Sequence, residues 1–247
     1  MTDLSYTSTD RIGVHGTFGL VVLQTDETIE HDLHRMLPSD GVALYASRIA
    51  NDEEVTGDTL AAMAERLPRS TGMFPNSLAF DVVGYGCTSG TSVIGPQNVA
   101  KLVREGCTAT HVTEPVSALI AACAALGVGS LGFVSPYIEE VNTRLRDVLA
   151  SQDIQSPVFG SFNEGIDAKV ARIDGPSIVA GALSVGSAQV DAVFLSCTNL
   201  RTLDVIEQIE AELDKPVLAS NQVLAWHMAK LAGLPIKGMG PGRLFAT

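Results

Sequence analysis

The sequence predicts an α/β protein of two similar lobes. Each lobe is expected to be a parallel four-stranded sheet flanked by helices, pseudo-twofold related to the other, with the active site in the cleft between them. Three observations predict this. Short apolar runs alternate with amphipathic runs, the pattern of parallel strands joined by crossover helices. Two segments match each other 110 residues apart: Asp81-Val82-Val83-Gly84-Tyr85-Gly86-Cys87-Thr88 and Asp191-Ala192-Val193-Phe194-Leu195-Ser196-Cys197-Thr198. Aromatic residues are only 5% of the chain, against 46% hydrophobic residues and 23 glycines, which fits an Ala/Val/Leu-rich α/β core better than a β-sandwich.

The elements follow in order. Residues 20–23 (Leu-Val-Val-Leu) form an apolar strand-like run, and 28–37 carries an amphipathic helix with Ile29, Leu33 and Leu37 at four-residue spacing. A second strand at 42–46 precedes a helix over 54–67, whose Leu60, Met63 and Leu67 share one face. The strand at 80–85 leads into Cys87-Thr88-Ser89-Gly90-Thr91-Ser92, read as a hydroxyl-rich loop before a helix over 96–105. A strand at 109–112 and an Ala-rich helix ending at Leu126-Gly127 complete the first set. The second set has strands at 130–134, 157–160, 192–195 and 216–219, with helices over 138–149, 179–188 and 203–213. The last helix ends at Leu231-Ala232-Gly233 and is expected to return to the first lobe. The expected division is therefore 1–112 plus 223–247 for lobe one and 113–222 for lobe two.

The 247 residues carry a net charge of −12. There is no long Lys/Arg cluster, so nucleic acid and anionic membrane are poor partners. No apolar run reaches the length of a membrane span. Residues 1–10 lack the basic-then-apolar pattern of a secretory signal. Four cysteines without CxxC or Cys/His ligand spacing argue against zinc and against a disulfide framework. A reducing, cytoplasmic setting is expected, with a homo-oligomer, no metal and no cofactor.

The paired cysteines carry the chemistry. In open α/β sheets, ligands bind outside the carboxyl ends of strands. Both Cys87 and Cys197 fall at such ends, so two thiols are expected to face one cleft from opposite lobes. Thr198 or Asn199 is expected to cap the helix that follows. A thiol at a helix amino terminus is expected to have a lowered pKa. Cys107 and Cys123 sit in a turn and a packed Ala-rich helix and are read as structural. Asp81 and Asp191 begin their strands, away from the cleft, and are read as turn or cap residues. Asp26 has two compatible readings: a cap for the helix near Thr28, or a binding group that repels a second carboxylate and attracts an ammonium.

Three stretches together resemble the aspartate/glutamate racemase superfamily, in its maleate cis-trans isomerase and arylmalonate decarboxylase branch. They are the Cys87 run, Ser135-Pro136-Tyr137 with Glu139-Glu140-Val141-Asn142, and Leu195-Ser196-Cys197-Thr198-Asn199-Leu200-Arg201-Thr202. The run Leu23-Gln24-Thr25-Asp26-Glu27-Thr28-Ile29-Glu30 is similar to a subgroup known as ectoine-utilisation protein A. The resemblance implies that Cys87 is the nucleophile and Cys197 the second catalytic thiol. It further implies that Tyr137 and Asn163 hold the substrate. Thr88, Ser89, Thr198 and Asn199 are expected to supply further binding groups beside the thiols.

The expected activity is a cofactor-independent isomerase or racemase acting on a small carboxylic acid. A decarboxylase using Cys197 as proton donor is one alternative. The resembling decarboxylases keep only the later cysteine, which counts against it. A non-catalytic small-molecule sensor on the same scaffold is the other alternative.

Overall fold

The computed structural model describes residues 1–187 and 189–246. The expected helix end at Ala188 and the terminal residue Thr247 lie outside the described residues. The first sheet contains β1 (Gly16–Leu23), β2 (Val42–Ile49), β3 (Phe80–Gly86) and β4 (Ala109–Thr113). The second contains β5 (Ser130–Ser135), β6 (Gln155–Ser161), β7 (Ala192–Leu195) and β8 (Val217–Ala219). Strand orders are β2-β1-β3-β4 and β6-β5-β7-β8, all pairs parallel. The same order twice is the internal repeat that the matched segments predict.

The helices in chain order are α1 (Ile29–Met36), α2 (Gly57–Thr71), α3 (Thr88–Ile94), α4 (Pro96–Gly106) and α5 (Pro115–Leu126). They continue with α6 (Glu139–Ala150), α7 (Asp167–Val170), α8 (Gly175–Gly186), α9 (Ile206–Leu213) and α10 (Ser220–Leu231). Two of these depart from the sequence reading. The hydroxyl-rich run after Cys87 is a helix, α3, not a loop. It ends at Gly95, whose φ of +87° is easy for glycine, and α4 restarts with Pro96 at its first turn. Thr198 and Asn199 do not cap a helix. They form a turn, and α9 begins only at Ile206.

Burial explains the strand composition. Every residue of β1 and β7 is buried, as expected of central strands covered on both faces. Asp81 and Asp191 tie corresponding points of the two sheets. Asp81 Oδ2 accepts the Thr17 N–H at 2.8 Å, where β1 begins beside β3. Asp191 Oδ2 accepts the N–H groups of Gly129 and Ser130, where β5 begins beside β7. Both sit at the amino ends of their strands, away from the thiols.

The last helix, α10, packs on β3 and β4 of the first sheet, on α1, and alongside α5. Gly84 permits this approach, because a Cβ there would lie 2.8 Å from the Met228 sulfur. Gly132 does the same for β5 against α8, where a Cβ would lie 2.8 Å from the Val185 carbonyl oxygen. That neighbour is backbone and cannot step aside. Gly132→Ala is therefore expected to destabilise the protein by about 1–3 kcal/mol through overpacking, measured by urea unfolding. An unchanged midpoint would contradict this packing.

Candidate active site

Each sheet changes direction of winding between its two central strands, and the ends of those strands supply the site. Asp26 follows β1, Cys87 follows β3, Tyr137 follows β5 and Cys197 follows β7. These four side chains line one small cavity. Thr88, Ser89, Thr198, Asn199 and Leu23 complete most of the wall. The remaining wall residue is Asp167, the first residue of α7. A second small cavity shares Cys87, Ser89, Tyr137 and Asp167 and continues past Asn51, Val55 and Met63.

Cys87 is the N-cap of α3, and its Sγ accepts the Gly90 N–H at 3.1 Å. Cys197 has a φ of 136°, a strained backbone for a residue with a side chain. Its surroundings hold it there. The Cys197 N–H donates to Ser220 Oγ at 3.0 Å, and its Sγ accepts the Asn199 N–H at 3.3 Å. Ser220 Oγ also accepts the Thr88 hydroxyl at 2.9 Å, so one hydroxyl links the first residue after Cys87 to the backbone of Cys197.

Tyr137 connects Cys197 to Asp167. Its hydroxyl donates to Asp167 Oδ1 at 2.9 Å and lies 3.1 Å from Cys197 Sγ. The same hydroxyl therefore touches both the carboxylate and the sulfur. Asp167 Oδ2 accepts the Thr25 hydroxyl at 2.6 Å, and Thr25 Oγ1 in turn accepts from Asn51 Nδ2 at 2.8 Å. Nothing in the sequence around Asp167 marks it beyond an Asp opening a short helical run, and the sequence reading missed it.

Asp26 combines both readings made of it. Its Oδ1 accepts the N–H groups of Thr28 and Ile29, each at 2.8 Å, at the start of α1. Its Oδ2 is buried, and the Thr198 hydroxyl faces the carboxyl. Asn163 is different. It is exposed in the turn after β6, with a φ of +53°, and it does not line either cavity at the thiols. Asn199 lines the cavity, but its amide is occupied: Oδ1 accepts the Glu27 N–H at 2.8 Å and Nδ2 donates to the Asp167 carbonyl at 3.0 Å. The hydroxyl of Thr198 likewise donates to the Gly86 carbonyl at 3.3 Å.

The expected lowering of the thiol pKa values is reversed. Burial pushes Cys87 up to about 12, outweighing the Gly90 N–H that favours its thiolate. Burial also pushes Cys197 well above the ordinary thiol range, and the nearby charge of Asp167 adds to the rise. Desolvation dominates because both sulfurs are almost fully enclosed. Burial raises the carboxyls of Asp26 and Asp167 as well. Among the described residues, no group of His, Cys, Asp and Glu is placed to hold a metal. No described helix is long and apolar enough to cross a membrane.

Comparison with known proteins places the chain. The family model described as arylmalonate decarboxylase (Amdase) matches residues 78–245. The chain belongs to this family. A maleate isomerase of Nocardia farcinica is 25% identical over 237 residues, covering 92% of this chain and 94% of the relative. The Nocardia farcinica maleate cis-trans isomerase, solved as a cysteine-to-serine mutant with a covalently bound succinylcysteine intermediate, superposes with a TM-score of 0.83. It is 23% identical and the match covers 93% of this chain and 98% of that one. A double mutant of arylmalonate decarboxylase in the liganded form, glycine to cysteine and cysteine to serine, is 26% identical with a TM-score of 0.78. That match covers 94% of this chain and 99% of the other. The two-sheet architecture is thus that of both maleate isomerase and arylmalonate decarboxylase structures.

Asp32, on α1 behind the cavity wall, gives a pH-dependent test. Its Oδ2 accepts from Asn221 Nδ2 at 2.8 Å, and Asn221 Nδ2 also donates to the Thr198 carbonyl. Burial pushes the Asp32 carboxyl from 3.8 up to about 6. The folded state therefore keeps a proton that the unfolded chain releases near pH 4. The contribution of Asp32 is undiminished below about pH 4 and falls as pH rises to about 6. Asp32→Asn, which keeps an acceptor for Asn221, is expected to raise stability at pH 7–8 by about 1–2 kcal/mol. At pH 4 it should change little. Equal effects at both pH values, read from thermal unfolding, would contradict the assignment.

Proposed function

We propose that the protein is a cofactor-independent isomerase in which Cys87 and Cys197 act together on one small carboxylic acid. The observation that carries this reading is the placement of both thiols, from separate sheets, in the wall of one cavity. The cavity is small and both sulfurs in it are buried, which suits a substrate of few atoms.

Two routes use these sulfurs. In the first, the Cys87 thiolate adds to an activated double bond, the carbon–carbon bond rotates, and the sulfur leaves as Cys197 manages the proton. The succinylcysteine intermediate of the Nocardia isomerase supports this route. In the second, one thiolate removes a proton next to a carboxylate and the opposite thiol donates one. The chain of contacts from Cys197 through Tyr137 to Asp167 supports a proton-handling role for Cys197 in both. Burial favours the protonated form of both thiols, so under this reading substrate binding is expected to favour one thiolate. Tyr137, Ser89 and Asp26 are the polar side chains we assign to holding the substrate. Thr88, Thr198 and Asn199 we assign to fixing the thiols, because their side chains are spent on structural bonds.

The decarboxylase reading has the family match behind it and needs only Cys197 as proton donor. The alanine variants separate the two. We expect Cys87→Ala and Cys197→Ala each to lower turnover by about a thousandfold or more. Proton NMR in D2O, with maleate and with α-amino acids as substrates, reads both isomerisation and deuterium exchange. Carbon dioxide release that survives Cys87→Ala and disappears in Cys197→Ala would replace the isomerase reading with the decarboxylase.

A further inference from the structure

Each thiol has a tyrosine hydroxyl beside it, and the two tyrosines come from different places. Cys197 meets Tyr137, which follows β5. Cys87 has Tyr85, two residues earlier on its own strand. Successive strand residues point to opposite faces, so positions 85 and 87 share one face. The chain also folds tightly there, with the Cys87 N–H donating to the Tyr85 carbonyl at 3.0 Å. The matched segment carries Leu195 where β3 carries Tyr85. An apolar side chain therefore serves the packing at this point of the repeat, and the phenol oxygen is an addition to it.

The Tyr85 hydroxyl is poorly provided for. Its residue is fully buried, and the hydroxyl donates to Met63 Sδ of α2 at 3.7 Å. A thioether is a weak acceptor. Gly90, in the first turn of α3, leaves space between this hydroxyl and Cys87. A Cβ there would lie 2.7 Å from Tyr85 Oη, 2.9 Å from Cys87 Sγ and 2.9 Å from Met63 Cε. With no side chain at Gly90, the hydroxyl and the thiol face each other, and the Gly90 N–H reaches the same sulfur. A thiolate is a charged acceptor, and hydrogen bonds to ionised groups are about twice as strong as those between neutral ones. Burial holds the Tyr85 phenol well above the ordinary tyrosine range, so it keeps its proton and stays a donor. Asp167 and Asp26 face the Cys87 sulfur from other loops and oppose its ionisation.

We propose that Tyr85 is a positioning residue for Cys87: its hydroxyl turns from the Met63 thioether to the Cys87 sulfur when that sulfur becomes an anion, and Gly90 keeps the way between them open. This rests on the two-thiol reading, in which Cys87 is the nucleophile. Tyr85 remains a neutral phenol throughout and takes no proton from the thiol. The two thiols are thus served differently. Tyr137 divides its hydroxyl between Cys197 and a carboxylate, whereas Tyr85 has only a thioether to release.

Alkylation by iodoacetamide tests this in the full-length protein, because only the thiolate reacts. The rates at the Cys87 and Cys197 peptides are followed together by mass spectrometry at about pH 8.5, where thiolate formation limits both. Tyr85→Phe keeps the ring and removes the donor. Loss of a charge-assisted O–H donor lowers the thiolate fraction about tenfold, and the more basic sulfur regains about half of that on a logarithmic scale through its greater nucleophilicity. The Cys87 rate is therefore expected to fall about threefold while the Cys197 rate holds. Met63→Leu removes the competing acceptor and is expected to speed Cys87. A Cys87 rate that Tyr85→Phe leaves unchanged or raises overturns the proposal, as does one that falls in step with Cys197 or one that Met63→Leu slows. Loosened packing would speed both thiols in Tyr85→Phe, the opposite of the expected result. No substrate is involved, so failure of the isomerase reading, which shows in turnover by the alanine variants of the thiols, is distinguishable from failure here.

Discussion

The site depends on buried hydrogen bonds that cross from one sheet to the other, and Asn199 is the centre of them. Its backbone N–H holds the Cys197 sulfur, and its side-chain oxygen takes the Glu27 N–H from the β1 loop. Its amide nitrogen reaches the Asp167 carbonyl, and its own carbonyl accepts the Thr28 hydroxyl. Cys197, Thr28 and Asp167 are buried, so losing the Asn199 side chain would leave the Asp167 carbonyl without its donor in a place where water replaces it poorly. Ser220 adds the second crossing, between Thr88 and the Cys197 backbone. The cavity is therefore the gap left between two strand-end layers that are bonded to each other around it.

That construction sets the electrostatics. Joining the layers encloses both sulfurs, and enclosure raises their pKa values more than a backbone N–H and a tyrosine hydroxyl apiece can lower them. Burial raises the carboxyls of Asp26 and Asp167 in the same wall as well. The Tyr137–Asp167 pair touches the Cys197 sulfur, whereas Cys87 meets the cavity from a helix cap, where the Gly90 N–H and the Tyr85 hydroxyl favour its anion.

The doubled sheet was legible because its signals are local. Apolar runs, the Asp at the start of β3 and β7, and the Cys-Thr at their ends recur in the same order, and the structure gives the recurring segments equivalent places. The α3 helix was hidden because Thr, Ser and Gly are poor helix formers. Its formation rests on the Cys87 cap and on burial of Thr88, Ser89, Thr91 and Ser92, which are tertiary facts. Asp167 was hidden for a related reason. Its partners Thr25 and Tyr137 are 142 and 30 residues away, and no short motif connects them. The commitment of Thr198 and Asn199 to structural bonds, and the exposed place of Asn163, likewise depend on how the loops after separate strands meet. The thiol acidity was misjudged from sequence because helix-end position is local, whereas desolvation is set by everything packed around the sulfur.

The central claim is that Cys87 and Cys197 share one cavity and can act on one molecule. Dibromobimane tests it directly, since it becomes fluorescent only when two thiolates have displaced its two bromides. At pH 9, where a larger fraction of each thiol is ionised, the reagent should give a fluorescent protein whose digest contains the Cys87 and Cys197 peptides joined by one bimane. Single alkylation of the two cysteines on separate, unlinked peptides would contradict the shared site.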